Sequence, residues 1–472
     1  MERRLKDLIP TRRDVLKLGG IALASTWVDR IMAPTRVYAA GKANPRGCAR
    51  FAILIEMGGA ISPMDCWDFK ETKYTPKDLD VVKIKSDLWI SRKLFPLLTA
   101  NNHWNKVAIV RSMRASELIH FNGQYHTQTG RSLNPAIAKE IPAFGSVIAA
   151  ELDKERRETD RFPTYVSTGM TRASAGSIGS GLFPARFTGL DLDPTTIFDA
   201  FGGSTEGVDA VMTERWRMLS AVAQASEAER KSIGEVTSDY HGYYKEAYGL
   251  LNDERWTSVF KASDEDKERY GGANDLYAMG LILARNLINA DAGTRFVYVN
   301  DGAGWDHHSY IFDHTKPRNH YISCARFDKG VNALFEDLQK IPSKHTPGKT
   351  LFDETMIVCT SEFGRTPFVN NVAGRDHWRT SYATFFAGGG VKGGRMIGAT
   401  GPDGGTTIDN GWAHKEQPHM DNTVASIYSA LGIDWRKLVE HTPSGRAYEY
   451  TQTAPLTANE FFSDDEIAEL FV

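Results

Sequence analysis

The segment from Thr355 to Trp378 most constrains how this chain can fold. A strand-like apolar run, Thr355–Thr360, leads directly into Glu362-Phe-Gly-Arg-Thr-Pro367 and then into Gly374-Arg-Asp-His-Trp378. A buried strand that ends in carboxylates, arginines and a histidine is typical of an open α/β sheet, which builds its sites at the carboxyl ends of its strands. The segment therefore predicts a strand followed by a polar site.

A second strand-like run, Arg295–Val299, is followed by the same kind of residues in Gly304-Trp-Asp-His-His308. Two such strand ends predict one shared site. Carboxylate and imidazole ligands without thiolates suit Zn²⁺, Mn²⁺ or a similar divalent ion, and two ions would clamp the attacking and leaving oxygens of an ester. The candidate ligands are Asp65 and Asp68 after the first apolar run, Asp306 with His307 or His308, Glu362, and Asp376 with His377.

Apolar runs that predict strands alternate with helix-like segments along the chain. Further strands are expected at 51–57, 106–111, 164–168 and 382–387, and helices at 327–339 and 422–431. This alternation predicts a largely parallel sheet in a layered α/β fold. Between about 205 and 290, glycine becomes rare and apolar residues recur with a helical period, which predicts a helical insertion.

The amino terminus indicates export. Thr11-Arg-Arg-Asp-Val-Leu-Lys17 precedes a moderately apolar run, and Val37-Tyr-Ala39 is a small-residue cleavage site, so residues 1–39 are expected to be a twin-arginine signal peptide before a mature chain of 40–472. The alternative is an amphipathic helix, because Asp29 and Arg30 interrupt the apolar run. Export would make the twin-arginine machinery a partner and place the protein in the periplasm or on the cell surface, carrying a metal loaded in the cytoplasm.

Composition excludes some partners. The net charge of the 472-residue chain is -3 and no charge run stands out, so nucleic-acid binding has no electrostatic support. Beyond the amino-terminal segment, no apolar run approaches the roughly 18 residues that span a bilayer. The four cysteines are far apart in sequence; Cys48 and Cys66 can pair after export, and Cys359 is expected to be an inert core thiol.

Two further sets of residues keep alternative roles. The region 112–131 would carry a nucleophile if there is one, since it contains Ser116 and His120 among other hydroxyls and imidazoles, but it also fits an ordinary strand-to-helix loop. Arg365 and Arg375 can either hold an anionic substrate by bidentate hydrogen bonds or neutralise the nearby carboxylates.

The order of motifs over residues 11–435 resembles the bacterial family called domain of unknown function 1501, within the alkaline phosphatase and sulfatase superfamily. The motifs that carry the resemblance are the twin-arginine signal, Gly58-Gly59 with Asp65-Cys-Trp-Asp-Phe-Lys70, Arg111-Ser-Met113 with His120 and Thr129-Gly-Arg131, Trp305-Asp-His-His308, the two motifs at 362–378, and Ala387-Gly-Gly-Gly-Val-Lys-Gly-Gly394. The resemblance implies an alkaline-phosphatase-like three-layer α/β sandwich with a two-metal site.

By position, the resemblance implies that Asp306, His308 and His377 hold one metal, and that Asp65, a nucleophile and an Asp-His pair hold another. Ser116 or His120 falls near the nucleophile position. Glu362-Phe363 stands where Asp-His is expected, and because a phenyl ring cannot ligate, the second metal lacks an imidazole unless Asp376 compensates. No Cys-x-Pro-x-Arg motif is present, which argues against a formylglycine sulfatase.

These observations support two hypotheses. The first is an exported metal-dependent hydrolase of phosphate or sulfate esters, in which Arg365 or Arg375 holds the anion of a small-molecule or polymer substrate. The second is a non-catalytic exported protein that retains the phosphatase-like fold to bind a ligand or polymer. Phe363 and the indistinct nucleophile favour the second hypothesis.

Overall fold

The computed structural model of this chain describes residues 42–85, 87–202, 214, 217–218, 220–221, 258–302, 304–452 and 463–472. The chain divides into the units 1–42 and Ala43–Val472. The predicted signal peptide, 1–39, lies outside the described residues, as does nearly all of 205–257. Both remain sequence-based predictions.

The strands and helices alternate through much of the described chain. The strands are, in chain order, β1 Phe51–Glu56, β2 Val81–Lys85, β3 Leu88–Ser91, β4 Val107–Met113, β5 Tyr165–Thr168, β6 Leu190–Leu192, β7 Phe296–Asn300, β8 Thr355–Thr360, β9 Gly364–Arg365, β10 His377–Trp378, β11 Tyr382–Ala387, β12 Arg395–Ile397, β13 Ala399–Thr400, β14 Thr407–Asp409, β15 Leu438–Val439 and β16 Tyr448–Glu449. The described α-helices are α1 Pro96–Ala100, α2 His120–Thr129, α3 Phe144–Leu152, α4 Pro194–Gly202, α5 Asp264–Tyr270, α6 Leu276–Ala290, α7 His320–Lys340, α8 Leu351–Glu354 and α9 Met420–Ala430.

Eight strands form one sheet in the order β12-β4-β11-β8-β1-β7-β5-β6. Every neighbouring pair is parallel except the two pairs that involve β11. Only the short antiparallel pair β9–β10 lies between β8 and β11, and no helix is available there for the crossover that a parallel neighbour needs. The predicted largely parallel sheet is therefore confirmed, with one antiparallel strand that the apolar runs alone did not reveal.

The sheet is covered by helices on both faces. Alternate residues of β1 point to opposite sides, so Phe51, Ile53 and Ile55 join one apolar core and Ala52 and Leu54 join the other. Helices α6 and α7 pack in the first core, and α3 and α9 pack in the second. Full burial of each large apolar side chain contributes about 1.5–3 kcal/mol, so the two cores account for much of the stability of the sandwich.

This arrangement confirms the predicted three-layer α/β architecture. The predicted strands and the two predicted helices coincide with elements of the structure to within a few residues, apart from α7, which begins seven residues earlier than expected. The described end of the predicted insertion, α5 and α6, is helical, but α6 is part of the layer that packs on the sheet. No described helix is long and apolar enough to cross a membrane.

The register of the central strands determines where their ends lie. Glu56 of β1 pairs with Asn300 of β7 and with Thr360 of β8, so all three parallel strands end at the same edge of the sheet. The loops that follow them begin at 57, 301 and 361 and must meet at this edge. The loop that links β4 to α2 ends nearby, because Gly123 in α2 lies against Glu362.

Glu56 is a fully buried carboxyl group at the end of β1. It accepts hydrogen bonds from Thr127 Oγ1 at 2.6 Å, Tyr298 Oη at 2.9 Å and Asn300 Nδ2 at 2.7 Å. Burial, reinforced by the nearby charge of Glu362, raises the pKa of Glu56 to about 8. The folded protein therefore prefers Glu56 protonated at neutral pH.

We expect the Glu56→Gln substitution to raise the melting temperature at about pH 9 and to change it little at about pH 5. An acid whose pKa is higher in the folded than in the unfolded state costs stability as pH rises from its unfolded pKa, about 4.3, towards its folded pKa. The amide removes that cost: its oxygen can accept from Tyr298, and its NH2 group can donate to Thr127 Oγ1 while that hydroxyl donates to the Gln124 carbonyl. Thermal unfolding followed by circular dichroism across this pH range measures the effect.

The exposed Glu71 provides a matched control, since Glu71→Gln should leave the pH profile of the melting temperature unchanged. A Glu56→Gln effect of equal size at both pH values would contradict a buried, protonated Glu56.

Candidate metal centre

Three histidines and one aspartate meet at the edge where the central strands end. His120 begins α2, Asp306 and His308 lie in the loop after β7, and His377 begins β10. One ligand atom from each of the four lies within 4.8 Å of the others. The separations are 2.9 Å between the Nε2 atoms of His308 and His377, and 3.1, 3.3 and 3.6 Å from Asp306 Oδ1 to Nε2 of His308, His120 and His377.

These separations fit one tetrahedral divalent ion. Zinc lies about 2.0–2.1 Å from nitrogen and oxygen ligands, so tetrahedral ligand atoms are about 3.3 Å from one another. The measured values, from 2.9 to 3.6 Å, surround this distance. The donor set of three imidazoles and one carboxylate also suits zinc or a similar ion.

The other ring nitrogen of each histidine is already engaged. Nδ1 of His120 contacts Glu362 Oε2 at 2.6 Å, Nδ1 of His308 contacts Asp376 Oδ1 at 2.9 Å, and Nδ1 of His377 contacts the Leu118 carbonyl at 2.6 Å. Each partner is an acceptor, so Nδ1 carries the proton and donates it. Nε2 is then left as the ligand atom facing the centre, which is how metal-binding histidines are commonly oriented.

The electrostatics of the cluster favour a cation. Burial opposes ionisation of Asp306, but hydrogen bonds from His120, His377 and Arg365 outweigh it and hold the pKa of this carboxyl below its usual range. Burial also lowers the pKa of His120, yet its hydrogen bonds to Asp306 and Glu362 raise it to about 9. The negative charges of Asp306 and Glu362 thus stabilise a proton on His120, and Nε2 must release that proton before it can bind a metal.

Glu362 and Asp376 orient ligands rather than join the four. Glu362 holds the ring of His120, and its other oxygen accepts hydrogen bonds at 2.9 Å from the Gly59 amide and from Gln124 Nε2. Asp376 holds His308 and in turn accepts from Asn370 Nδ2 at 3.1 Å. Glu362 and Asp376, both predicted as ligands, each lie behind a histidine of the cluster and are hydrogen-bonded to its Nδ1 atom.

Phe363 packs beneath the histidines. Its buried ring lies 4.4 Å from the ring of His377 and 5.3 Å from that of His120, measured between centroids. The phenyl ring therefore packs against two residues of the cluster, at a place where the resemblance implied a ligand of a second metal.

Arg365 is buried and fully engaged. Nε donates to the Ala60 carbonyl at 3.0 Å, Nη1 to the Arg375 carbonyl at 2.9 Å, and Nη2 to the Gly59 carbonyl and to Asp306 Oδ1. Of the two roles left open by the sequence, this geometry supports neutralisation of a carboxylate. It does not support binding of a substrate anion.

Asp65 and Arg375 form an ion pair with each other and are not among the four residues of the cluster. Arg375 Nε and Nη2 lie 2.8 and 3.1 Å from the two Asp65 oxygens, and both side chains are buried. Ser62 Oγ donates to Asp65 at 2.6 Å. Asp65 as a metal ligand and Arg375 as an anion-binding residue are therefore not supported, because each is used by the other.

The region 112–131 contributes an imidazole rather than a hydroxyl. His120 was expected near the nucleophile position and is instead a member of the four-residue cluster. Ser116 is half-buried in the loop before α2, and among the described contacts it makes no hydrogen bond to the cluster. The sequence signal for His120 was the same as for the other ligands: an imidazole shortly after a buried strand.

Close backbone contacts assemble these loops. A Cβ on Gly59, whose φ is +94°, would lie 2.6 Å from the Asp306 amide nitrogen, and a Cβ on Gly374 would lie 2.0 Å from the His308 carbonyl carbon. Only glycine allows both approaches. The pairing of β9 with β10 places His377 opposite Arg365, which brings the second half of the segment 362–378 back to the site.

We expect Asp65→Ala and Asp306→Ala to differ in metal content, although each removes the carboxylate partner of a buried arginine. Removing Asp65 leaves the Arg375 guanidinium buried without its partner, which should lower the free energy of unfolding by about 3–5 kcal/mol while the folded fraction keeps its metal. Removing Asp306 should abolish metal binding. Urea denaturation and elemental analysis of the purified variants measure the two effects.

The exposed pair of Asp80 with Arg92 provides the control; since Asp80 has φ +48°, the change is to asparagine, and Asp80→Asn should change neither quantity. Loss of metal from folded Asp65→Ala would show that Asp65 is a ligand after all.

Comparison with known proteins finds similar solved structures and one family model. No curated protein matches the chain. One similar solved structure is a protein in the alkaline phosphatase superfamily from Vibrio parahaemolyticus, with 7% identity over 85% of this chain and 72% of the other and a TM-score of 0.34. Another is the PsFucS1 sulfatase from Pseudoalteromonas sp., with 10% identity over 98% of this chain and 80% of the other and a TM-score of 0.38. A third is the C-terminal periplasmic domain of EcEptC from Escherichia coli in complex with Zn, with 8% identity over 92% of this chain and 98% of the other and a TM-score of 0.37.

The family model that describes a protein of unknown function, DUF1501, matches residues 49–458. This range covers both polar strand ends and all four residues of the cluster. The chain belongs to the DUF1501 family.

Proposed function

We propose that this protein is an exported metal-dependent hydrolase of phosphate or sulfate esters that uses one divalent ion. The observation that carries the proposal is the convergence of His120, Asp306, His308 and His377 at tetrahedral separations, with every Nδ1 held by an acceptor. With both Nδ1 atoms protonated, the lone pairs of His308 Nε2 and His377 Nε2 face each other at 2.9 Å, and an ion between them would relieve that repulsion.

One ion is favoured over two. The residues implied for a second ion are Asp65, which is paired with Arg375, and the position of Phe363, which has no ligand atom. The remaining carboxylates of the region, Glu362 and Asp376, are hydrogen-bonded to ligand histidines.

Solvent exposure favours a reactive site over a purely structural one. The side chains of His308 and Asp306 are 43% and 29% exposed, whereas closed structural sites are shielded. A bound ion would supply Lewis-acid polarisation of a phosphoryl or sulfuryl oxygen only if it bound that oxygen in addition to the four residues. The chain itself would hold the ligands through Glu362, Asp376 and the Leu118 carbonyl, and would keep Asp306 ionised through Arg365.

We expect protein purified from its own host to contain about one divalent ion at this centre, as its four ligand atoms imply. His377→Ala should lose that ion and reduce turnover of nitrophenyl phosphate, phosphodiester or sulfate substrates to background. Asp376→Ala should weaken metal binding by about 10–100-fold, since it removes only the acceptor behind His308. His314→Ala, which changes an exposed histidine outside the cluster, is the matched control.

Two results would count against the proposal in different ways. Absence of metal from the native protein would contradict the metal centre itself. One bound ion with no turnover on any ester would instead favour the non-catalytic binding protein, a role that the full engagement of Arg365 and Arg375 and the absence of a contact from Ser116 would explain.

We also propose that residues 1–39 direct twin-arginine export to the periplasm or cell surface. Replacing Arg12 and Arg13 by lysine should retain the protein in the cytoplasm, because the export machinery reads the arginine pair. Cell fractionation and immunoblotting measure the distribution. Undiminished export of the double variant would refute the assignment, and the single change Lys17→Arg serves as a charge-conserving control.

A further inference from the structure

A second group of metal-competent side chains lies in the apolar core between the loop after β1 and helix α7. Cys66, His320 and Cys324 are fully buried, and one ligand atom from each lies within 4.8 Å of the others. Cys66 Sγ is 3.1 Å from His320 Nε2 and 3.8 Å from Cys324 Sγ. None of the three belongs to the cluster at the strand ends.

We propose that Cys66, His320 and Cys324 bind a structural zinc ion. Zinc lies about 2.3 Å from thiolate sulfur and about 2.0–2.1 Å from imidazole nitrogen, so a tetrahedral site separates its two sulfurs by about 3.8 Å and sulfur from nitrogen by about 3.5 Å. The observed sulfur–sulfur distance matches, and the observed sulfur–nitrogen distance is shorter by a few tenths of an ångström.

The charge and softness of the ligands suit zinc. Two thiolates neutralise one divalent ion, which allows it to be buried without an uncompensated charge. Binding releases one proton from each thiol. The ligand type also separates the two sites: thiolates select zinc or a softer ion here, whereas the cluster at the strand ends offers only imidazole and carboxylate.

A neighbouring histidine connects the two sites. His307 lies between Asp306 and His308 but turns the other way, so that its ring is 5.8 Å from that of His320 and its Nε2 is 3.3 Å from Ser323 Oγ. Because structural zinc sites almost always have four ligands, we include His307 in the proposal as the fourth, which would require its ring to turn away from Ser323. An ion here would join the loop that carries Asp65 to the helix that follows the His308 loop.

The experiment uses the full chain, metal-depleted and then loaded with cobalt or zinc. Cobalt bound by thiolate gives an intense near-ultraviolet charge-transfer band that histidine and carboxylate ligands do not give. We expect this band in the wild-type protein and in His377→Ala, and its loss in Cys66→Ser and Cys324→Ser. Cys48→Ser, which changes a cysteine outside the group, should keep the band.

X-ray absorption of zinc-loaded protein provides a measurement that does not depend on any variant folding. Sulfur scattering at about 2.3 Å would support the site, and its absence from zinc-saturated wild-type protein would overturn it. A Cys66–Cys324 disulfide in the native protein, detected by mass spectrometry of unreduced alkylated peptides, would also overturn it. Because the band persists in His377→Ala, failure of this site and failure of the proposed catalytic centre are distinguishable.

Discussion

The buried guanidinium of Arg365 is the interaction on which the candidate centre most depends. Its N–H groups reach backbone carbonyls of the loops after β1 and β9 and, in the same fork, the carboxylate of Asp306. A rigid planar fork suits this task, since a lysine could not make so many directed hydrogen bonds from one position. With the hydrogen bonds from His120 and His377, the positive charge of Arg365 lowers the pKa of Asp306. Arg365 therefore both joins the loops and stabilises the ionised carboxylate.

Further hydrogen bonds around Arg365 hold the side chains of the cluster in place. The four ligand atoms face one point, and behind them Glu362, Asp376 and the Leu118 carbonyl fix the histidine rings. Farther back, Gln124 and the Gly59 amide hold Glu362. Such outer partners orient ligands and raise their basicity, which explains why so many carboxylates surround a centre that uses only one as a ligand.

The departure at Phe363 has a physical consequence beyond the loss of a ligand. An aromatic ring against His120 and His377 makes one side of the cluster apolar. Together with the mutual pairing of Asp65 and Arg375, it leaves one group of candidate ligands among the described residues at this edge, where the family resemblance implied ligands for two metals. The single ion that we propose here would be compatible with ester hydrolysis or with metal-dependent binding.

Much of the fold and three of the four residues of the candidate cluster could be predicted from the sequence. The apolar runs at 355–360 and 295–299 become neighbouring parallel partners of β1, and Asp306, His308 and His377 follow from the residues and the family resemblance. The antiparallel direction of β11 could not be predicted from its own composition. It depends on the lack of a crossover helix after β8.

The sequence by itself determined which strands end in polar residues and therefore the edge at which a site must form. Only the tertiary structure decided which side chain does what there. Asp65, Glu362 and Asp376 are all carboxylates near strand ends. Their roles differ because Asp65 pairs with Arg375, Glu362 with His120 and Asp376 with His308. Likewise Cys66 and Cys324 are separated by more than 250 residues, and their approach depends on the packing of α7 against the loop after β1.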